Sequence, residues 1–309
     1  MINTYTETIL DQFIESDDQF PTCVYEPIID GFANPVRLVE RYTMGENAAI
    51  AYQLEKYDTI GFDCVTKCIN NLVSKGAIPE SFTAEIPDAF AEQLIPGFIK
   101  GCLKGCCSLE IKISNKSTIT GTAVGVCDGE CASQNTVKSG DRLIGFLSSG
   151  LHFDALVKAA EILKLDEENI KEIVPEIFCK MEDELFRRSK IYVQPIMHVI
   201  NNLNVPLNAV SYTGEKGLIN GINKMLPEGV KARIWPEDFP MSGIYELIRR
   251  ESGYSMSEMF ENFNMGIGLV MAVDKKYAGH VMGSLIQMGE HPYVIGCCYE
   301  GNKSVEIIW

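Results

Sequence analysis

The sequence predicts an α+β protein in two domains. Three observations lead there. At 309 residues the chain is longer than one average domain and suits two. Strand-like and helix-like segments alternate irregularly, with few strand–helix–strand repeats, which favours α+β over a doubly wound sheet. The stretch from Asp128 to Gly140 is rich in Gly, Ser, Asn and Asp and poor in apolar residues, so it reads as a linker. The boundary is placed there, with a first domain over 35–130, a second over 131–309, and residues 1–34 as an N-terminal extension.

The extension is polar and without strong period, apart from a short helix near Thr8 to Glu15. Asp58 or Thr59 can cap the first long helix. Val65, Cys68, Ile69, Leu72 and Val73 recur at helical spacing along it, and Gly76 and Pro79 stop it. A second helix starts at Asp88, with Phe90, Leu94, Ile95, Phe98, Ile99 and Cys102 as its stripe. Ser117 to Cys127, rich in Thr, Val and Gly, reads as a strand. After the linker come a strand over Arg142–Leu147 and helices around Asp154–Leu163, Ile191–Leu203 and Lys216–Met225, then a strand over Val230–Trp235. Ser255-Met256-Ser257-Glu258 has the form of a capping box. Ile267–Val273 is a strand, Asp274–Met288 a helix closed by Gly289, and Tyr293–Tyr299 a strand. No internal repeat or low-complexity segment interrupts this order.

Composition narrows the function. Hydrophobic residues make up 46% and charged residues 22%, an ordinary balance for a globular protein. The net charge of −15 argues against nucleic acid and against anionic membrane surfaces, both of which need compensating Lys and Arg. No apolar run approaches the roughly 20 residues of a membrane span. The start, Met1-Ile2-Asn3-Thr4, lacks the basic and apolar regions of a signal peptide, so a cytoplasmic location is expected. There the 11 cysteines should be thiols. Cys64/Cys68 and Cys127/Cys131 lie one turn apart, and Cys106-Cys107 and Cys297-Cys298 are adjacent. None has zinc-site spacing, and a buried-hydrophobe role is preferred to a metal.

Several motifs occur in a fixed order: Tyr57-Asp58-Thr59-Ile60-Gly61-Phe62-Asp63 through Lys75-Gly76-Ala77-Ile78-Pro79; Gly101 to Leu109; Gly140-Asp141-Arg142-Leu143-Ile144-Gly145; Ser148-Ser149-Gly150-Leu151-His152; Ile191-Tyr192-Val193-Gln194-Pro195; and Asn262-Phe263-Asn264-Met265-Gly266-Ile267-Gly268. Together they resemble the aminoimidazole ribonucleotide synthase family, also called phosphoribosylformylglycinamidine cyclo-ligase, from about Pro35 onward. The resemblance implies two α+β domains: an N-terminal one that builds a β-barrel shared between two subunits, and a C-terminal α/β sandwich. It also implies a homodimer, ATP with magnesium across the subunit interface, and ATP-dependent closure of an imidazole ring in purine synthesis.

The same resemblance marks where the chemistry should lie, and there this chain departs. The family's Asp-Gly-Val-Gly-Thr-Lys falls on Tyr42-Thr43-Met44-Gly45-Glu46-Asn47, so the metal acid is Tyr42 and the lysine is Asn47. Its Asn-Asp falls on Asn70-Asn71. Its Gly-Gly-Glu loop after Ser-Leu is missing, and Ser108-Leu109 runs straight into Glu110, a remnant acid or, by preference, a solvated strand residue. Its Ser-Ser-Gly-x-His-Ser-Asn-Gly falls on Ser148-Ser149-Gly150-Leu151-His152-Phe153-Asp154, and its Thr-Gly-Gly-Gly-Leu on Thr213-Gly214-Glu215-Lys216-Gly217-Leu218. The family's N-terminal glycine-rich loop with its lysine has no counterpart before Pro35.

Candidate nucleotide-binding remnants are therefore Gly45, Asp58, Asp63 and Asn71. Candidate second-domain cleft residues are Ser148, Ser149, Gly150, Thr213, Gly214, Asn264 and Gly266. His152 is the candidate acid or base; its alternative, and preferred, role is a helix-start residue whose imidazole caps backbone. No metal-ligand set is assigned, and ATP and magnesium binding is expected to be weak or absent. Two functions stay open: a divergent cyclo-ligase, which could draw missing groups from a partner protein in trans, and a non-catalytic homodimeric paralogue with a binding role.

Overall fold

A computed structural model describes residues 32, 34–129, 135–166, 168–214 and 217–309, with the side chains of Asn47 and Asp58 outside the described set. The helix expected over Thr8–Glu15, most of the extension, Cys131, Glu215 and Lys216 also lie outside it.

The first half opens with a strand, β1 (Pro35–Thr43), followed by α1 (Glu46–Gln53), α2 (Tyr57–Ser74) and β2 (Ile78–Pro87). A short 3-10 turn at Asp88–Phe90 leads into α3 (Ala91–Gly105), and β3 (Ser108–Ser114) and β4 (Thr120–Asp128) complete it. The strands form one sheet in the order β1-β4-β2-β3, antiparallel except for β2 and β3. Helices α2 and α3 cover one face. They approach closely because small residues sit at their crossing: a Cβ on Gly61 would lie 2.7 Å from the Leu94 carbonyl oxygen, and one on Gly101 would lie 2.8 Å from the Val65 Cβ. Cys64, Val65, Ile69 and Leu72 are fully buried there.

The second half holds β5 (Arg142–Leu147), α4 (Asp154–Ile162), a small hairpin of β6 (Ile173–Val174) and β7 (Cys179–Lys180), α5 (Met181–Leu185) and α6 (Val193–Met197). It continues through β8 (Ala209–Tyr212), α7 (Gly217–Met225), β9 (Val230–Ile234), α8 (Gly243–Ser252), α9 (Met256–Asn262), β10 (Ile267–Val273), α10 (Lys275–Gln287), β11 (Pro292–Glu300) and β12 (Val305–Ile307). Six of these strands form a sheet in the order β12-β9-β11-β5-β10-β8, antiparallel except for β12 beside β9. Every residue of β10 is buried, as a central strand covered on both faces requires. One core runs without a break from the helix layer of the first sheet to one face of the second, through Phe146, Tyr192, Met271 and Val281; α4, α7, α8 and α9 bury the other face.

The fold is α+β, as expected, and the Ser255–Glu258 capping box is present in full. Several boundaries move. Helix α2 starts at Tyr57, ahead of the expected caps, and the Thr59 hydroxyl donates back to the Lys56 carbonyl instead. The expected helix from Asp88 is a 3-10 turn first, and the expected helix over Ile191–Leu203 is α6 followed by a single π-helical turn over His198–Asn202. The strand expected from Ser117 begins at Thr120. Strands β1 and β2 and helices α1 and α8 have no counterpart among the sequence expectations. In β1 each face mixes apolar with charged residues, so strict alternation is lost.

Candidate functional site

Helix α2 passes between the two sheets and sets three polar side chains on one face. At positions 63, 67 and 70 the spacing of four and three residues stacks them toward the segment 188–192. Asp63 accepts the Ser189 backbone N–H through Oδ1 at 3.1 Å. The Asn70 amide is fully buried: its Nδ2 donates to the Lys190 carbonyl at 2.9 Å and its Oδ1 accepts the Tyr192 N–H at 3.0 Å. These two side chains tie the second half to the first.

Lys67 lies between them and is only 5% exposed. Its ammonium sits 4.8 Å from the ring centre of Phe153, 5.6 Å from that of Tyr42 and 5.9 Å from that of Tyr212. The rings also pack on one another, edge-to-face, at 5.6 Å for Tyr42–Phe153 and 6.4 Å for Phe153–Tyr212. The result is an aromatic cage around an internal cation. Phe153 holds a left-handed backbone (φ 53°), unusual for an aromatic residue, and burial against this cage fixes it.

The cage explains what became of the nucleotide-binding remnants. Tyr42, at the position of the expected metal acid, turns its ring onto Lys67. Gly45 precedes α1 with an ordinary negative φ, and a Cβ there would meet nothing within 4 Å, so no close backbone approach needs this glycine. Asn71 is half-buried beside Asn70, and its backbone carbonyl accepts the Ser74 hydroxyl at 2.7 Å. Asp63 belongs to the tie described above, and the Asp58 side chain lies outside the described set. Magnesium wants a compact set of hard anionic oxygens. A phenol, an amide and a caged ammonium do not fit that ion, and among the described residues no group of three or more His, Cys, Asp and Glu is placed to hold a metal.

His152 does not cap a helix. The ring is buried, with Nδ1 3.1 Å from the Ser189 hydroxyl and Nε2 3.4 Å from the Ser149 hydroxyl. Burial pushes its pKa down to about 4; the neighbouring charge of Lys67 adds to that, and a backbone hydrogen bond at Leu151 opposes it. At neutral pH it is an uncharged spacer between two serines. The helix it precedes, α4, has no side-chain cap.

The second-half candidates divide into two places. Ser148, Ser149, Gly150 and Gly266 line a cleft of about 230 Å³ together with Glu184, Arg187, Ser242 and Tyr245. Asn264 lies beneath it: its Nδ2 donates to the Gly150 carbonyl at 3.3 Å, and its Oδ1 accepts the Tyr245 hydroxyl at 2.6 Å. The carboxylate of Glu184 is buried, accepts the Ser242 hydroxyl at 2.8 Å and pairs with Arg187 at 2.9 Å. Thr213 and Gly214 do not line this cleft. Thr213 is spent on β10, its N–H donating to the Gly268 carbonyl at 3.0 Å and its hydroxyl to that of Ile267 at 2.5 Å. Gly214 is packed on the Tyr212 ring, 2.7 Å from where its Cβ would sit. Glu110 is a solvated residue of β3 that accepts the Thr83 hydroxyl at 3.2 Å.

Sequence reasoning missed Lys67, Tyr212, Glu184, Arg187 and Tyr245. One signal was available: Lys67 interrupts the apolar stripe of α2 between Val65 and Cys68. The others reach their places through tertiary packing. The nine described cysteines are free thiols, and burial pushes the Cys64, Cys68, Cys102 and Cys298 thiols up, toward the protonated form. Among the described residues no helix is long and apolar enough to cross a membrane.

Comparison with known proteins places this geometry. The model of the AIR synthase related protein, C-terminal domain, matches residues 138–308. The phosphoribosylformylglycinamidine cyclo-ligase of Geotalea uraniireducens (strain Rf4) is 31% identical over 297 residues, covering 90% of this chain and 84% of that one. Among solved structures, the thiamine-monophosphate kinase of Stenotrophomonas maltophilia K279a aligns with a TM-score of 0.66 at 15% identity, over 97% of this chain and 94% of that one. AaThiL, complexed with AMPPCP and TMP, aligns with a TM-score of 0.61 at 17% identity, over 98% of this chain and 92% of that one. At those identities the structures share the fold.

Proposed function

The chain belongs to the AIR synthase family, and from that premise we propose that it is a divergent relative of the cyclo-ligases whose ATP-dependent ring closure is impaired, acting instead as a homodimeric binding protein. One observation supports the reading: Tyr42, which the motif alignment sets at the family's metal acid, turns its ring onto the buried Lys67 ammonium, itself held 4.8 to 5.9 Å from three ring centres. Phosphoryl transfer is positioning plus neutralisation of phosphate charge by metal and basic groups. Here the cation is buried among Tyr42, Phe153 and Tyr212. A charge-assisted hydrogen bond is worth about 1.5–3 kcal/mol, so the absence of two moves a micromolar ATP site into roughly the millimolar range.

A homodimer through the four-stranded sheet fits the surface. Helices α2 and α3 cover only one face of that sheet; on the other, Val39 is 61% exposed between Arg37 and Arg41. A cytoplasmic location and a domain boundary between residues 130 and 131 complete the proposal.

The second reading, an active cyclo-ligase, rests on the 31% identity across nine-tenths of the chain. Growth of a purine-requiring cyclo-ligase deletion strain carrying only this gene, alongside an ATP-dependent assay of the pure protein, separates the two. Failure of both is expected. Rescue with turnover by the pure chain would overturn the proposal, and rescue only with a second protein would show that missing groups are supplied in trans.

A further inference from the structure

Three of the nine described thiols gather where α3 ends and β3 begins: Cys102, Cys106 and Cys107. The turn that holds them has a definite form. Cys106 takes a left-handed backbone (φ 53°, ψ 44°), a place that usually falls to glycine. Its N–H donates to the Leu103 carbonyl at 3.3 Å, and the Cys107 N–H donates to the Cys102 carbonyl at 3.1 Å. These are the two hydrogen bonds of a Schellman motif. That motif brings together the side chains of the residues joined by its longer bond, ordinarily an apolar pair. Here both are cysteines.

The side chains follow the backbone. The Cys107 Sγ lies 3.9 Å from the Cys102 carbonyl oxygen and 3.6 Å from where a Cβ on Gly105 would sit, so it folds back over the last turn of α3. Burial, and then the neighbouring Cys107 thiol, pushes the Cys102 thiol well above its ordinary pKa. The two sulfurs differ in access. Cys102 is 3% exposed and shares a core with Cys64 and Cys68 of α2, whereas Cys107 is half-buried. The longer bond keeps the two residues about one helical turn apart, roughly 5.4 Å, and a disulfide usually spans about 5.5–6 Å between Cα atoms. A thiol open to solvent beside a sheltered one is the arrangement in which the first is oxidised and the second resolves it.

We propose that Cys102 and Cys107 form a peroxide-responsive dithiol that closes reversibly to a disulfide across the end of α3. The Cys107 thiolate attacks hydrogen peroxide: an S–O bond forms, the O–O bond breaks, and the departing hydroxide takes up a proton as water. The Cys102 sulfur then attacks the Cys107 sulfenic acid. The S–S bond forms, the S–O bond breaks, and the hydroxyl leaves with the Cys102 proton as a second water. The two sulfurs together lose two electrons, and the peroxide gains them. The pair lies apart from the Tyr42–Lys67 cage, and its chemistry stands whether or not ring closure survives.

The test treats the reduced full chain with hydrogen peroxide, blocks remaining thiols with N-ethylmaleimide, and maps tryptic peptides by mass spectrometry. Lys100, Lys104 and Lys112 make the map decisive: cleavage puts Cys102 in peptide 101–104 and Cys106 with Cys107 in peptide 105–112. The two peptides are expected joined, and dithiothreitol should separate them. Cys107→Ser should abolish the joined species, and Cys106→Ser should keep it. Circular dichroism checks the fold of both variants, and the wild-type map reads the proposal without either. It is overturned by unjoined peptides after peroxide treatment, whether Cys107 stays a thiol or passes to sulfinic acid. A Cys106–Cys107 bond inside peptide 105–112 in place of the joined species overturns it, as does a joined species that survives in Cys107→Ser or disappears in a folded Cys106→Ser.

Discussion

Asn70 clamps Tyr192: from the middle of α2 its carboxamide oxygen accepts the Tyr192 N–H at 3.0 Å, while its amide group donates to the Lys190 carbonyl two residues earlier. One fully buried side chain thus satisfies a donor and an acceptor of a segment that has just left α5 and has yet to enter α6.

Asn70→Ala should cost about 2–4 kcal/mol, because it strands two buried backbone groups without partners. Asn71→Ala, one residue on and half-buried, should fall within about 1 kcal/mol of wild type. Urea denaturation of the two variants in parallel checks this, and similar losses at both positions would remove the clamp.

His152 makes stability fall in acid. Its folded pKa of about 4 lies below the ordinary value of 6.5, so the unfolded chain takes up a proton before the folded one does. The contribution is fully present above about pH 6.5 and is lost as pH falls toward 4, by about 3 kcal/mol in total. His152→Gln should be less stable at neutral pH yet flatter across that interval. Denaturant midpoints taken from neutral to mildly acid pH would show parallel curves if the idea is wrong.

Lys67 should tolerate loss of charge better than loss of fit. Lys67→Met keeps the volume and suits an aromatic cage, so stability should stay within about 1 kcal/mol of wild type. Lys67→Gln keeps a polar group without the cation–π attraction and should cost about 2 kcal/mol. A methionine variant as unstable as the glutamine one would mean that the charge itself holds the cage together.

Val39→Asp should dissociate the proposed dimer. The residue is largely exposed on the uncovered face of the four-stranded sheet, and a carboxylate there would have to be buried across a subunit interface. Light scattering at micromolar concentration should read dimer for wild type and monomer for the variant. A dimer in both would move the interface elsewhere, and a monomer in both would end the proposal.

The strands and helices read from the sequence are those whose pattern is local. Strand β10 is a continuous apolar run and β5 is one after its opening Arg142, and their expected limits are the observed ones. The capping box of α9 needs only Ser255 and Glu258 three residues apart. Strand β1 was hidden because its burial is decided by β4, whose pairing partners lie some 80 to 90 residues further along the chain. The site followed the same division. Ser148, Ser149, Gly150 and Gly266 were found through motifs and do share a cleft, whereas Thr213 and Gly214 turned into supports for β10 and Tyr212. Glu184 and Arg187 could not be found, because nothing in their neighbourhood says that α5 delivers a carboxylate beneath Ser242.

The strand order of the larger sheet has a consequence for how the chain is made. Strand β5 is the apolar run Arg142–Leu147, and its two neighbours, β10 and β11, begin at residues 267 and 292. During synthesis β5 leaves the ribosome with both edges unpaired and waits for more than a hundred further residues before either partner exists. The smaller sheet has no such delay, since its last strand ends at Asp128. Vectorial synthesis is therefore expected to leave the first half tethered to a strand with both edges unpaired, the kind of intermediate that engages chaperones. Pausing translation between residues 150 and 260 should lengthen that exposure and raise the aggregated fraction, whereas a pause before residue 140 should not.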